Sequence, residues 1–124
     1  MTLRVYIDDI RDPPDSTWAT FRTSEEALSF LRGLYGAFLG AAGYSDIGDT
    51  GPVEIDVISF DHDLGGNDTT RPVMSWLCEY GFWPAEVLVH SSNPVGKSWL
   101  LGMADQYAPE EVSIPQIHRT GPGR

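Results

Sequence analysis

Three short stretches carry the residues able to do chemistry. Leu3-Arg4-Val5-Tyr6-Ile7 runs into Asp8-Asp9, Val57-Ile58-Ser59-Phe60 into Asp61-His62-Asp63, and Val87-Leu88-Val89 into His90-Ser91-Ser92-Asn93. If the strands ending at Ile7 and Phe60 are neighbours, their ends lie about 5 Å apart. Asp8, Asp9, Asp61 and Asp63 then share one crevice. Crowded carboxylates are relieved by a raised pKa or by a divalent cation. All-oxygen carboxylate sites suit Mg2+, Mn2+ or Ca2+, and Mg2+ commonly joins a few carboxylates to a phosphate. The pattern assigns Asp8, Asp9 and Asp61 as metal ligands, with Mg2+ or Mn2+ as the cofactor. For Asp8-Asp9 alone, solvated strand ends and loop caps explain the acids equally well; the coincidence with Asp61 favours the pocket.

His90 ends an apolar strand at the same edge and is expected to move protons there, beside Asp61 and Asp63 as catalytic carboxylates. His62 follows Asp61 and on strand parity points away, so a structural role weighs as much as a functional one. The phosphate side is "HSSNPVGKS". Asn93-Pro94 has the form of a helix start, and the amides of Val95, Gly96 and Lys97 would face an anion. Ser91, Ser92, Asn93, Gly96 and Lys97 are the phosphate-binding candidates, with Arg11 added from the loop after Asp8-Asp9. The segment is not a Walker loop, because the leading glycine is missing. Taken alone, an ordinary capped helix accounts for it. Arg71 stands near the same edge and either binds phosphate or pairs with acids.

The elements that must position these residues follow from periodicity. Strands are expected near Arg4–Ile7, Trp18–Arg22, Val57–Phe60, Val87–Val89 and Val112–Ile117. Helices are expected after Thr23 (frayed by Gly36, Gly40 and Gly43), over Val73–Tyr80 with a stop at Gly81, and after Asn93. Gly43–Pro52 reads as loop. The two prolines of "IRDPPDS" forbid a full helix between the first two strands. Apolar rather than alternating strands imply a mostly parallel, five-stranded α/β sheet with helices on both faces. Ligands of such sheets bind at the carboxyl ends of the strands. One domain is expected over 1–118, with a flexible tail over 119–124.

Composition narrows the partners. The 124 residues carry 18 acids against 8 bases, a net charge of −10, which argues against a duplex DNA surface. It leaves room for a small phosphate ligand or a basic protein partner. Cys78 is the single cysteine, so no internal disulfide forms. No apolar run is long enough to span a membrane, and no signal sequence is visible, so a soluble, cytoplasmic protein is expected.

"YIDDIRDPP", "ISFDHDLG" and "VHSSNPVGKSWL" together resemble the cyclic-phosphate-processing receiver-like domains, relatives of two-component receivers. The resemblance implies a flavodoxin-like sheet with a degenerate first helix and an acidic, Mg2+-binding pocket. Asp8 and Asp9 resemble the acidic pair after the first receiver strand. Asp61 takes the place of the phosphoacceptor, and His90-Ser91 that of the switch hydroxyl. The lysine that ends the fifth receiver strand is missing, leaving Gln116, His118 or Arg119 to substitute. The function implied is a metal-dependent phosphoesterase for a cyclic phosphate, either a 2′,3′-cyclic nucleotide or an RNA end. The alternatives are a non-catalytic binding module and a receiver phosphorylated on Asp61.

Overall fold

The computed structural model describes residues 2–43 and 54–119. Its elements are β1 (Thr2–Ile7), β2 (Trp18–Phe21), α1 (Ser24–Gly43), β3 (Glu54–Phe60), α2 (Arg71–Tyr80), β4 (Glu86–Val89) and α3 (Pro94–Tyr107), followed by a 3-10 turn at Pro115–Ile117. All strand pairs are parallel, in the order β2-β1-β3-β4. Nearly all of the expected loop Gly43–Pro52, and residues 120–124 of the expected tail, lie outside the described residues.

Local sequence sets each helix end. At α1, the Thr23 hydroxyl accepts from the Glu26 amide at 3.1 Å, while the Glu26 carboxylate reaches back to the Arg22 amide at 2.9 Å. This is a capping box displaced by one residue at its return bond. α1 continues through Gly36 and Gly40 to Gly43 instead of fraying. α2 stops at Gly81, whose φ of 68° allows its amide to reach the Leu77 carbonyl at 2.8 Å.

The register sorts strand residues into two faces. Val5, Ile7, Phe21, Ile58, Phe60, Val87 and Val89 share one face and pack with Leu31 of α1, Leu77 of α2 and Leu100 of α3 in a single core. Arg4, Tyr6, Trp18, Thr20, Ser59 and Leu88 share the other. The expectation of helices on both faces is corrected: all three lie on the first. The reason is handedness. Right-handed crossovers that step in one direction along a sheet fall on one face, and β2-α1-β3 and β3-α2-β4 both step the same way. Only β1 to β2 steps back, and that link, Asp8–Thr17, contains Pro13 and Pro14 and forms no helix.

The expected fifth strand is corrected as well; the sheet has four strands. Ser113 makes one parallel bridge to Glu86, donating to the Ala85 carbonyl at 2.8 Å and accepting from the Val87 amide at 2.9 Å. Two residues later Pro115 has no amide to continue the ladder, and the chain turns. The side chain of Gln116 takes over the next rung, accepting from the Val89 amide at 2.7 Å and donating to its carbonyl at 2.8 Å.

Arg119, assigned above to a tail, belongs to the fold. Its buried guanidinium donates to the carbonyls of Asp105 (3.1 Å), Ala108 (2.7 Å) and Pro109, at the end of α3. Replacing Arg119 with alanine strips several charge-assisted bonds from a helix end. A loss of roughly 2–3 kcal/mol is expected in chemical denaturation; a change within about 0.5 kcal/mol would show that the clamp is idle.

Candidate functional site

The site residues extend the ladder by one step beyond each strand. Asp8 donates its amide to the Phe21 carbonyl at 3.1 Å, Asp61 to Ile7 at 2.9 Å and His90 to Phe60 at 2.9 Å. Asp8, Asp61 and His90 therefore stand side by side at the carboxyl edge, with the parity of Tyr6, Ser59 and Leu88, on the helix-free side.

Asp8 is 1% exposed, and both of its oxygens are hydrogen-bonded. Oδ1 accepts from the amides of Ile10 (2.9 Å) and Arg11 (2.8 Å), and Oδ2 lies 2.9 Å from His90 Nε2. Burial pushes its carboxyl up, but the Arg11 and Ile10 amides, together with His90, outweigh that and hold it below the ordinary aspartate range. Asp61 is raised instead, first by burial and then by the charge of Asp8. Carboxylate oxygens of Asp8, Asp9 and Asp61 all lie within 4.8 Å of one another. Asp9 comes in against Gly65, where a Cβ would sit 3.2 Å from Asp9 Oδ2 on a backbone with φ of 88°. Three hard oxygen donors, one of them destabilised as an anion by its neighbour, fit a divalent cation such as Mg2+ or Mn2+.

His90 is held on three sides. Its Nδ1 is 2.7 Å from Ser59 Oγ, and its ring lies parallel to Tyr6 with centroids 4.4 Å apart. Arg11 donates to the His90 carbonyl at 2.9 Å. Arg22 donates to the carbonyls of Asp8 (3.1 Å) and Arg11 (2.6 Å) and pairs with Asp12 at 2.7 Å, fixing the loop that carries Asp9 and Arg11.

The remaining expected residues form a second group around α3. Asp63 is exposed, bonded to His62 Nδ1 and Asn93 Nδ2 at 3.0 Å each, and stands outside the three-carboxylate cluster. Asn93 caps α3 through the Gly96 amide at 3.0 Å, Ser91 Oγ accepts from the Asn93 amide at 3.0 Å, and the Lys97 amide already bonds the Asn93 carbonyl at 2.9 Å. The amides of Gly96 and Lys97 are thus committed to the helix rather than presented to an anion. Ser92 is exposed and Lys97 half-buried.

Gly96 serves packing: a Cβ there would sit 2.6 Å from His62 Nδ1 and closer still to Cγ. His62 is buried, its Nε2 accepting from Arg71 Nε at 2.9 Å. An arginine only donates, so the ring proton is on Nδ1 and faces Asp63. The Arg71 guanidinium lies 4.6 Å from the Trp99 ring centroid. His62 and Arg71 therefore tie the loop after β3 to α2 and α3.

The description of the cyclic-phosphate processing receiver domain matches residues 3–106, spanning β1 through most of α3. The chain belongs to this family. No curated protein and no solved structure matches it. Within this receiver-like frame none of the three expected lysine substitutes supplies a cation to the acids. Gln116 bonds β4, Arg119 caps α3, and His118 is exposed in a left-handed turn with φ of 60°.

Ser59, Tyr6 and Arg22 are absent from the residues expected from sequence. Their signal was parity: Ser59 stands two before Asp61 on one strand face, Tyr6 two before Asp8, and Arg22 just past the end of β2. Among the described residues, no helix is long and apolar enough to cross a membrane.

Proposed function

We propose that this receiver-like domain is a metal-dependent phosphoesterase that opens a cyclic phosphate, of the kind carried by 2′,3′-cyclic nucleotides and RNA ends. The observation that supports this is the convergence of Asp8, Asp9 and Asp61 within 4.8 Å at the carboxyl edge of the sheet, together with the family match. These three residues would hold Mg2+ or Mn2+. When bound, the cation supplies charge neutralisation and polarises the phosphoryl group.

The rest is done by side chains. Asp61 has one oxygen bonded to the His62 amide at 2.8 Å, and its raised proton affinity suits it to take a proton from an attacking water. The water oxygen bonds to phosphorus, one ester P–O bond breaks, and the departing ribose oxygen gains a proton. His90 would give it from Nε2, which must leave its 2.9 Å bond to Asp8 Oδ2 to do so while Nδ1 stays on Ser59. Arg11 spends one N–H on the His90 carbonyl and keeps further donors for a phosphoryl oxygen. Ser91 and Ser92 lie in the turn that opens α3, and Lys97 lies in its first turn.

The test is turnover of a panel of 2′,3′- and 3′,5′-cyclic nucleotides and cyclic-ended RNA with Mg2+ or Mn2+. Opening of the 2′,3′ ring to a monoester, abolished by Asp61→Asn, is expected. Cation and ligand binding without turnover would instead make the domain a binding module, and acetyl phosphate labelling at Asp61 would make it a phosphoacceptor.

A further inference from the structure

The acidic site opens toward the sheet face that no helix covers among the described residues. An aromatic path runs along that face away from it. The His90 ring lies flat on Tyr6 at 4.4 Å, and Tyr6 meets Trp18 edge-on at 5.9 Å. Trp18 is on edge strand β2, partly exposed, in register with Arg4. Neither Tyr6 nor Trp18 nor Leu88 belongs to the core that the helices share. Arg4 is exposed on the same row, holding Thr17 at 3.4 Å and Asp56 at 3.9 Å, both long contacts.

The partly exposed indole of Trp18 stands two ring contacts from His90, and a nucleotide carries its base one ribose away from its phosphate. Unpaired bases bind by stacking on aromatic side chains of open sheet faces. On this face Tyr6, Val57 and Ser59 are buried, so of the two rings it is the partly exposed Trp18 that a ligand can reach.

We infer that Trp18, on the helix-free face, is a stacking subsite for the base of the nucleotide whose phosphate enters the acidic site. The inference rests on the proposed function only for the position of the phosphate. It takes the substrate to be a nucleotide or a single-stranded RNA terminus rather than a base-free cyclic ester. Stacking alone discriminates little between bases. With 18 acids against 8 bases the chain is poor in the cations that would track a longer backbone, and the subsite is assigned to the terminal nucleotide alone.

The experiment measures dissociation constants of adenosine 3′-monophosphate, ribose 5-phosphate and inorganic phosphate in Mg2+, for the wild-type chain, Trp18→Leu and Trp18→Phe. The nucleotide is expected to bind roughly tenfold or more tighter than the sugar phosphate. Trp18→Leu should erase that preference without altering inorganic phosphate binding, and Trp18→Phe should keep most of it. Equal affinity for nucleotide and sugar phosphate in the wild type, a preference surviving in Trp18→Leu, or binding of neither would overturn the subsite. Turnover is not read here. A protein that binds nucleotide through Trp18 yet hydrolyses nothing would refute the phosphoesterase and uphold the subsite.

Discussion

Asp61→Asn is expected to lose roughly a hundredfold or more of Mg2+ affinity, since loss of even an outer partner costs 10–100-fold. The same variant, free of metal, should melt above the wild type at neutral pH. Burial and the charge of Asp8 raise the Asp61 carboxyl, so the folded state prefers its protonated form. A group raised in this way favours folding below the ordinary aspartate range, and that contribution is lost as pH rises through its folded value. At neutral pH the Asp61 charge is therefore a liability that asparagine removes while its side-chain oxygen can still accept from the His62 amide. The gain in melting temperature should shrink as pH falls through the raised folded value and be gone below about 4, where both folded and unfolded carboxyls are protonated. Saturating Mg2+ should reverse the ranking, because a ligand stabilises only the state that binds it. Melting curves in chelator and in Mg2+ at both pH values decide the matter. A metal-free variant less stable at neutral pH, or equal stabilisation of both proteins by Mg2+, would contradict the pocket.

Gly96→Ala should cost roughly 2–4 kcal/mol, more than an ordinary small overpacking. The added methyl meets the His62 ring, which cannot swing away because Arg71 holds Nε2 and Asp63 holds Nδ1. Neither can the backbone retreat easily, as Gly96 lies in the first turn of α3 under the Asn93 cap. His62→Ala with Gly96→Ala removes the collision, so the pair should be coupled by about 1–3 kcal/mol in denaturation. A glycine present for phosphate approach would behave otherwise, losing ligand affinity with stability unchanged and no coupling to His62.

The sheet edge was legible because apolar runs that stop at acids can be read without tertiary knowledge. Asp8, Asp61 and His90 each follow such a run, and the parallel register aligns them. The helix starts at Thr23 and Asn93 were equally readable, since capping is local. What sequence hid was non-local. Asp63 looks like a member of the acid cluster, yet Asn93 and His62 draw it toward α3. Gly96 looks like an anion-binding glycine until the His62 ring is seen beneath it. Val112–Ile117 has strand-like residues, but Pro115 limits pairing to Ser113 and passes the next rung to the Gln116 side chain. The one-sided helix layer follows from crossover direction, and strand order is a property that no single segment carries.

The most direct test of the metal site is a crystal soaked with Mn2+ and a nucleoside 3′-monophosphate, with the anomalous signal of the cation recorded. One strong peak is expected among the carboxylates of Asp8, Asp9 and Asp61, at about 2.2 Å from their oxygens, with the phosphate against it. A peak elsewhere, or none at a Mn2+ concentration that supports turnover, would contradict the account.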